Sequence, residues 1–70
     1  MTNVNLLKST MAKAGDLNFV ACIAKLLNLS RTTASKKLNG KADFTQSEIS
    51  KIAERYELSA DNIKEIFVGE

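Results

Sequence analysis

The sequence predicts an all-α fold, a compact five-helix bundle that forms a single domain over residues 1–70. Proline is absent and glycine occurs only three times, so the chain has little of the turn chemistry that a sheet of short strands requires. Apolar residues recur every three or four positions, which places them on one face of a helix. A content of 44% hydrophobic and 26% charged residues is typical of a globular domain.

The first two helices are predicted from apolar stripes that end at a stop signal. The first helix covers Asn3 to Ala14 and stops at Gly15, a common residue after a helix C-terminus. The second helix begins at Asp16 or Asn18, ends at Leu27, and is apolar well beyond one stripe. The inward positions are Val4, Leu7, Met11 and Ala14 in the first helix, and Val20, Ile23, Ala24 and Leu27 in the second.

A third helix is predicted over Arg31 to Asn39, with Ser30 as its N-cap and Asn39-Gly40 as its stop. It is mostly polar, and only Ala34 and Leu38 are able to pack inward. This helix therefore presents a wide polar face to solvent.

Capping residues also begin the last two helices. Thr45-Gln46-Ser47-Glu48 has the capping-box pattern and opens a fourth helix, and Ser59 caps a fifth helix that ends at Val68-Gly69. Their inward residues are Ile49, Ile52, Ala53 and Tyr56 in the fourth helix, and Ile63, Ile66 and Phe67 in the fifth.

Residues 19–39 have the pattern of a helix-turn-helix. An apolar helix is followed by a tight turn at Asn28-Leu29 and then by a helix rich in serine, threonine and lysine. Ala24 and Ala34 are small where the two helices would cross, and Leu29 would hold the turn against both. In such a motif the second helix projects from the rest of the domain, and its polar face is exposed to solvent.

Charge is distributed unevenly along the chain. The residues through Lys41 include seven basic side chains against Asp16 alone, a net charge of +6, whereas those from Ala42 onward carry −4. The total is therefore only +2, although the basic half could face a polyanion while the acidic half faces solvent or a basic partner.

Residues 23–41 resemble the helix-turn-helix of the Cro and phage-repressor family. The resemblance is carried by Ile23-Ala24-Lys25-Leu26-Leu27-Asn28-Leu29-Ser30-Arg31-Thr32-Thr33-Ala34-Ser35 and continues through Lys36-Lys37-Leu38-Asn39-Gly40-Lys41. Phe44 to Ile49 and Ile52-Ala53 also resemble the fourth helix of small Cro-like proteins, so the resemblance spans about residues 6–67. It implies a phage repressor-like DNA-binding domain that binds double-stranded operator DNA.

Candidate DNA-binding residues lie on and after the third helix. Four side chains that share one helical face are expected to read base edges: Arg31, Thr32, Ser35 and Lys36. Three more lie toward the edges, where the family's backbone contacts map, and are expected to hold phosphates: Thr33, Asn39 and Lys41. Hydroxyl residues are poor helix formers, which favours recognition over simple solvation for this face.

The chain departs from the family at two places. Family members commonly begin the second helix with Thr-Gln or a similar polar pair that helps to hold phosphate, but Phe19 and Val20 stand here. Lys37 occupies a usually apolar position, so Leu38 is expected to take over that packing.

Two apolar groups are candidates for a partner or dimer interface. Phe19, Cys22 and Leu26 form either an exposed patch or, if the Gly15 to Asn18 connection rotates the helix, part of the core. Ile63 and Phe67 form either a homodimer seam or packing onto the first helix.

Two functions from different classes follow from these patterns. One is a Cro-like transcription regulator that binds operator DNA at the switch between lysogenic and lytic transcription. The other is an antirepressor that binds the DNA-binding domain of a separate phage repressor, with acids such as Glu48, Asp61 or Glu65 on its basic surface.

The sequence gives no support to an enzyme or a cofactor-binding protein. Histidine is absent and Cys22 is the only cysteine, which argues against a disulfide framework, a Cys/His zinc site and a His-based catalytic triad. We expect no cofactor, metal or small-molecule substrate. No apolar run approaches the roughly 18 residues of a membrane span, and the N-terminus lacks a signal-peptide pattern, so we expect a cytoplasmic protein in a bacterial host.

Overall fold

A computed structural model describes residues 2–68, and this part of the chain is helical with no strand. The helices are α1 (Val4–Lys13), α2 (Phe19–Leu27), α3 (Arg31–Leu38), α4 (Gln46–Tyr56) and α5 (Ala60–Ile63), which continues as a π-helix over Lys64–Val68. The predicted all-α fold of five helices is confirmed, with helix ends that differ from the predicted ones by at most three residues. The predicted end at Gly69 lies outside the described residues. None of these helices is long and apolar enough to cross a membrane.

Each of the five α-helices begins at a residue whose side-chain oxygen caps it. In each case the oxygen accepts the backbone N–H of the residue three positions later, at 3.0–3.3 Å. These bonds satisfy donors that a helix otherwise leaves without a partner. The capping residues are Asn3, Asn18, Ser30, Thr45 and Ser59. The caps predicted at Ser30 and Ser59, and the capping box from Thr45 to Glu48, are confirmed.

The first four helices end in one recurring geometry. A residue with positive φ turns the chain so that the next N–H donates to the carbonyl five residues earlier, at 2.9 Å in all four cases. The donors and acceptors are Asp16 to Met11, Leu29 to Ala24, Lys41 to Lys36, and Leu58 to Ala53. The residues with positive φ are Gly15, Asn28, Gly40 and Glu57. Glycine and asparagine are usual at such a position, whereas a glutamate is disfavoured by its β-carbon.

The core is built from side chains of all the major elements. Ten apolar side chains of the described chain are buried: Leu7, Met11, Ile23, Leu27, Ala34, Leu38, Phe44, Ile52, Ile66 and Phe67. Ala34 and Leu38 are the apolar contribution of α3, as predicted. The rings of Phe44 and Phe67 meet edge to face with their centroids 5.8 Å apart, which joins the segment before α4 to the C-terminal π-helix.

The C-terminal helix differs from the regular helix that its spacing predicts. It changes from α to π geometry at Lys64, and both Ile66 and Phe67 are buried against the core. The Asn3 N–H donates to the Ile66 carbonyl, so this segment packs beside the start of α1. Phe67 is only 7% exposed and Ile63 is half-buried, so both pack against the core within the chain, and the homodimer seam stays a prediction.

Glu57 offers a test of this helix-end geometry. Glu57 has φ of 52° at the end of α4, so its replacement by glycine removes the steric penalty of the β-carbon there. We expect Glu57→Gly to raise the free energy of unfolding by about 0.5–1 kcal/mol, measured by urea denaturation.

Glu54→Gly is the matched control, because Glu54 is an exposed glutamate inside the same helix. That variant should lose about 1 kcal/mol, since glycine is a poor residue in a helix interior. A loss of stability in both variants would contradict the role assigned to the positive φ of Glu57.

Candidate nucleic-acid interface

Six of the seven residues predicted to contact DNA line one concave surface of about 410 Å³. We call this the α3 surface. Its lining residues are Arg31, Thr32, Ser35, Lys36, Asn39 and Lys41, together with Val20 from α2.

The geometry of α3 and of its end explains why these residues meet. An α-helix has 3.6 residues per turn, so residues at positions i, i+1, i+4 and i+5 lie on one face. In α3 these residues are Arg31, Thr32, Ser35 and Lys36. Beyond the helix, Gly40 has φ of 76°, and the Lys41 N–H donates to the Lys36 carbonyl at 2.9 Å. The chain thereby folds back and places Lys41 beside the last turn of α3.

The α3 surface is polar and positively charged. Arg31, Lys36 and Lys41 are exposed, and no carboxylate of residues 2–68 lies within ion-pair distance of them. Asn39 Nδ2 donates to Ser35 Oγ at 3.2 Å, which orients the amide along the helix. Three cations together with three small polar side chains suit an anionic ligand with hydrogen-bonding groups.

Thr33 is placed differently from the other candidates. It is half-buried outside the α3 surface, and its hydroxyl oxygen accepts a hydrogen bond from Ser30 Oγ at 3.0 Å. Its backbone N–H donates to the same Ser30 oxygen. Thr33 therefore takes part in the N-terminal cap of α3, and its contact with phosphate stays a prediction.

Lys37 lies on the opposite side of α3 and is buried, with 8% of its surface exposed. Its ammonium forms an ion pair with Glu48 Oε1 and lies 5.8 Å from the centroid of the Phe44 ring. Glu48 Oε1 also accepts the Thr45 N–H, so this one oxygen closes the α4 capping box and holds Lys37. The antirepressor hypothesis places Glu48 on an acidic partner-binding surface, but its carboxylate is paired with Lys37 inside the domain.

The surroundings of Glu48 favour its charged form. Burial raises the pKa of the Glu48 carboxyl, but hydrogen bonds from Lys37 and Thr45 and the charge of Lys37 together outweigh burial and lower the pKa below its ordinary value of 4.5. The pairing therefore contributes fully to stability above pH 4.5, and the contribution is lost as the pH falls below that value.

A second ion pair joins the connection before α2 to α4. Arg55 Nη2 contacts both oxygens of Asp16, at 3.0 and 3.2 Å, and the Tyr56 hydroxyl donates to the same carboxylate at 2.6 Å. Burial, together with the hydrogen bond to Asp16 and its charge, raises the pKa of Tyr56. The predicted inward position of Tyr56 agrees with this half-buried placement.

The predicted apolar patch of Phe19, Cys22 and Leu26 is neither fully exposed nor fully buried. All three side chains are half-buried and pack against the core. Cys22 and Leu26 line a hollow of about 520 Å³ beside Lys25 and Tyr56, whereas Phe19 is not part of its lining. The patch is thus divided between two places. Among residues 2–68 the most exposed large apolar residue, at 72%, is Leu17, which the sequence patterns do not single out.

The ion pair that holds α3 can be tested by a change that keeps the helix cap. Glu48→Gln removes the charge but retains an oxygen that can accept the Thr45 N–H. We expect a loss of about 1.5–3 kcal/mol in the free energy of unfolding at pH 7, the range for a hydrogen bond to a charged group. At pH 3 the loss should be smaller, because protonation weakens the pair in the unsubstituted chain as well.

Urea denaturation at the two pH values measures both effects. Glu54→Gln is the control, since Glu54 is exposed on the same helix and should change stability little at either pH. An equal loss for Glu48→Gln at pH 7 and pH 3 would show that its charge does not stabilise the fold.

Comparison with known proteins identifies the family of this domain. A family model, the BetR domain, matches residues 4–66, a range that contains α1 to α5 and every residue of the α3 surface. No curated protein and no solved structure matches the chain at the required significance. The specific resemblance to the Cro and phage-repressor type stays a prediction beside this match. The chain belongs to the BetR domain family, small helical domains of phage and bacterial regulators.

Proposed function

We propose that this chain is a DNA-binding transcription regulator that places α3 in the major groove of double-stranded DNA. The observation that carries the proposal is the α3 surface, where Arg31, Lys36 and Lys41 meet with no carboxylate of the described chain paired to them. The match to the BetR domain supports a regulatory role.

The residues of the α3 surface form two groups, one suited to contact bases and one suited to contact phosphates. Arg31, in the first turn of α3, can donate two hydrogen bonds to guanine, and Thr32 can offer its hydroxyl or its methyl to a neighbouring base. Ser35 is short and lets the helix backbone approach the base edges, while Lys36 reaches a base or a phosphate. Lys41 and Asn39, at the far end, are suited to phosphate oxygens, which position the helix along the duplex.

The buried face of α3 supports the same orientation. Lys37 is the one cation of this helix that points inward, where Glu48 neutralises it. Its charge therefore adds little to the attraction of DNA, whereas Arg31 and Lys36 keep their charge in solvent. The helix thus combines an anchored side with a free basic side.

On the resemblance to Cro and phage repressors, we further propose action at the switch between lysogenic and lytic transcription. A homodimer would present two copies of α3 to half-sites about 10 base pairs apart, one turn of the double helix. A single domain would contact one half-site.

An antirepressor function is the competing proposal. Asp61 and Glu65 are exposed and remain available to a basic partner surface, but Glu48 is paired with Lys37. This function would place the acidic C-terminal half, and not the α3 surface, against the DNA-binding domain of a repressor.

Fluorescence anisotropy distinguishes the two proposals. The purified chain is titrated against labelled DNA from its own locus and against scrambled DNA of equal length, each at low and at moderate salt. Tight binding to the first DNA alone, with a steep decrease as salt rises, supports the regulator. Binding no tighter than about 10⁻⁵ M to both DNAs is the non-specific level and would contradict it. The neighbouring repressor then becomes the ligand to titrate.

Arg31→Ala tests direct base recognition. We expect a loss of about 1–3 kcal/mol in the free energy of specific binding, with a relaxed preference at one base position, because a guanine would lose two hydrogen bonds. Lys51→Ala is the control, as it removes the same charge from an exposed position of α4 outside the α3 surface. Equal effects of the two variants on specific binding would leave Arg31 with only a general electrostatic role.

Lys41→Ala tests the contact with phosphate. Affinity should decrease by a similar factor for every DNA sequence, and the slope of log K against log salt should become shallower by about 1 per bound domain. The measurement is the same titration over several salt concentrations. A change in sequence preference without a change in slope would instead place Lys41 on a base edge.

A further inference from the structure

Val20 is the one apolar side chain of the α3 surface. It is half-buried at the start of α2 and packs against the core, and it also lines the surface beside Arg31, Thr32 and Ser35. The N-cap that precedes it, Asn18, already accepts the Ala21 N–H. Val20 thus has a fixed backbone position, and its side chain is shared between the core and the α3 surface.

A valine at this place restricts what DNA group can lie against it. It has no hydrogen-bond donor, so contact with a phosphate would remove water from the anion without replacing its hydrogen bonds, which is unfavourable. Among the groups that the four bases present in the major groove, the C5 methyl of thymine is the apolar one. Burial of a methyl against a methyl is favourable because it removes apolar surface of both from water.

We propose that Val20 is a specificity-determining residue that contacts the C5 methyl group of a thymine. The inference rests on the proposed insertion of α3 into the major groove. Because Val20 and Arg31 line the same surface, the thymine lies close to the base that Arg31 contacts. The polar pair that begins the second helix in Cro-like proteins is replaced here by a group that reads a base and does not hold a phosphate.

The test removes the methyl group from DNA and the side chain from the protein separately. A preferred duplex is first selected from a random library with the unsubstituted chain. Each thymine in the selected site is then replaced by uracil, which differs only in lacking the methyl group. At one position per half-site we expect Kd to rise about fourfold, equivalent to ~0.8 kcal/mol for one buried methyl.

The thymine duplex and the uracil duplex that weakens binding are then both titrated with Val20→Ala. We expect this variant to bind the thymine and uracil duplexes equally, since the methyl group has lost its contact. Val4→Ala is the matched control, as Val4 is a half-buried valine of α1 outside the α3 surface, and it should keep the fourfold preference. A preference for thymine that persists in Val20→Ala would overturn the proposal.

Two further variants separate recognition from packing. Val20→Ile keeps an apolar group and should retain the preference for thymine, whereas Val20→Gln should lose it, and thermal melting by circular dichroism establishes that each variant is folded. If no duplex is selected, the proposed function itself fails. If a duplex is selected but no thymine is sensitive to uracil, only the role of Val20 is overturned.

Discussion

The buried ion pair between Lys37 and Glu48 determines how α3 is presented. A helix of eight residues is not stable alone in water, and α3 buries only two apolar side chains, Ala34 and Leu38. Lys37 adds a third attachment, and its partner oxygen on Glu48 is also the one that caps α4. The start of α4 and the inward side of α3 are therefore joined through a single carboxylate. With three of its eight side chains held inward, α3 directs Arg31 and Lys36 away from the core.

Short helices around a small core make the helix ends important in this domain. The helices are four to eleven residues long, so a large share of their backbone groups lies within a terminal turn. A side-chain cap accepts a backbone N–H at the start of each α-helix. At the ends of the first four helices, the turn at the positive-φ residue brings a backbone N–H to one of the last carbonyls of the helix. The same turns position charged residues: Lys41 follows Gly40 onto the α3 surface, and Asp16 follows Gly15 toward Arg55. The turns that end these helices therefore also position functional and ion-paired side chains.

The features that could be predicted from the sequence are those set by residues close together in the chain. A cap and its acceptor are three residues apart, and the face that carries Arg31 and Lys36 spans two turns, so local rules suffice for both. The burial of Lys37 depends on a glutamate 11 residues later, and the position of Asp16 depends on Arg55, 39 residues away. The π-helix is a further case: the i, i+3, i+4 spacing of Ile63, Ile66 and Phe67 predicts that they face inward, but it is the spacing of a regular α-helix and does not predict the change to π geometry at Lys64.

The two ion pairs also explain how a chain with a small net charge keeps a basic surface. Each pair joins the basic half to the acidic half, and together they remove one cation and one anion from each, so the halves retain +6 and −4. None of the remaining acids among residues 2–68 lines the α3 surface. The described chain measures 28 × 24 × 20 Å, about 2.5 to 3.5 times the distance of about 8 Å over which salt screens charges under physiological conditions. Acidic groups across the molecule therefore oppose the α3 cations only weakly, and the local charge, more than the total of +2, governs the approach of a polyanion.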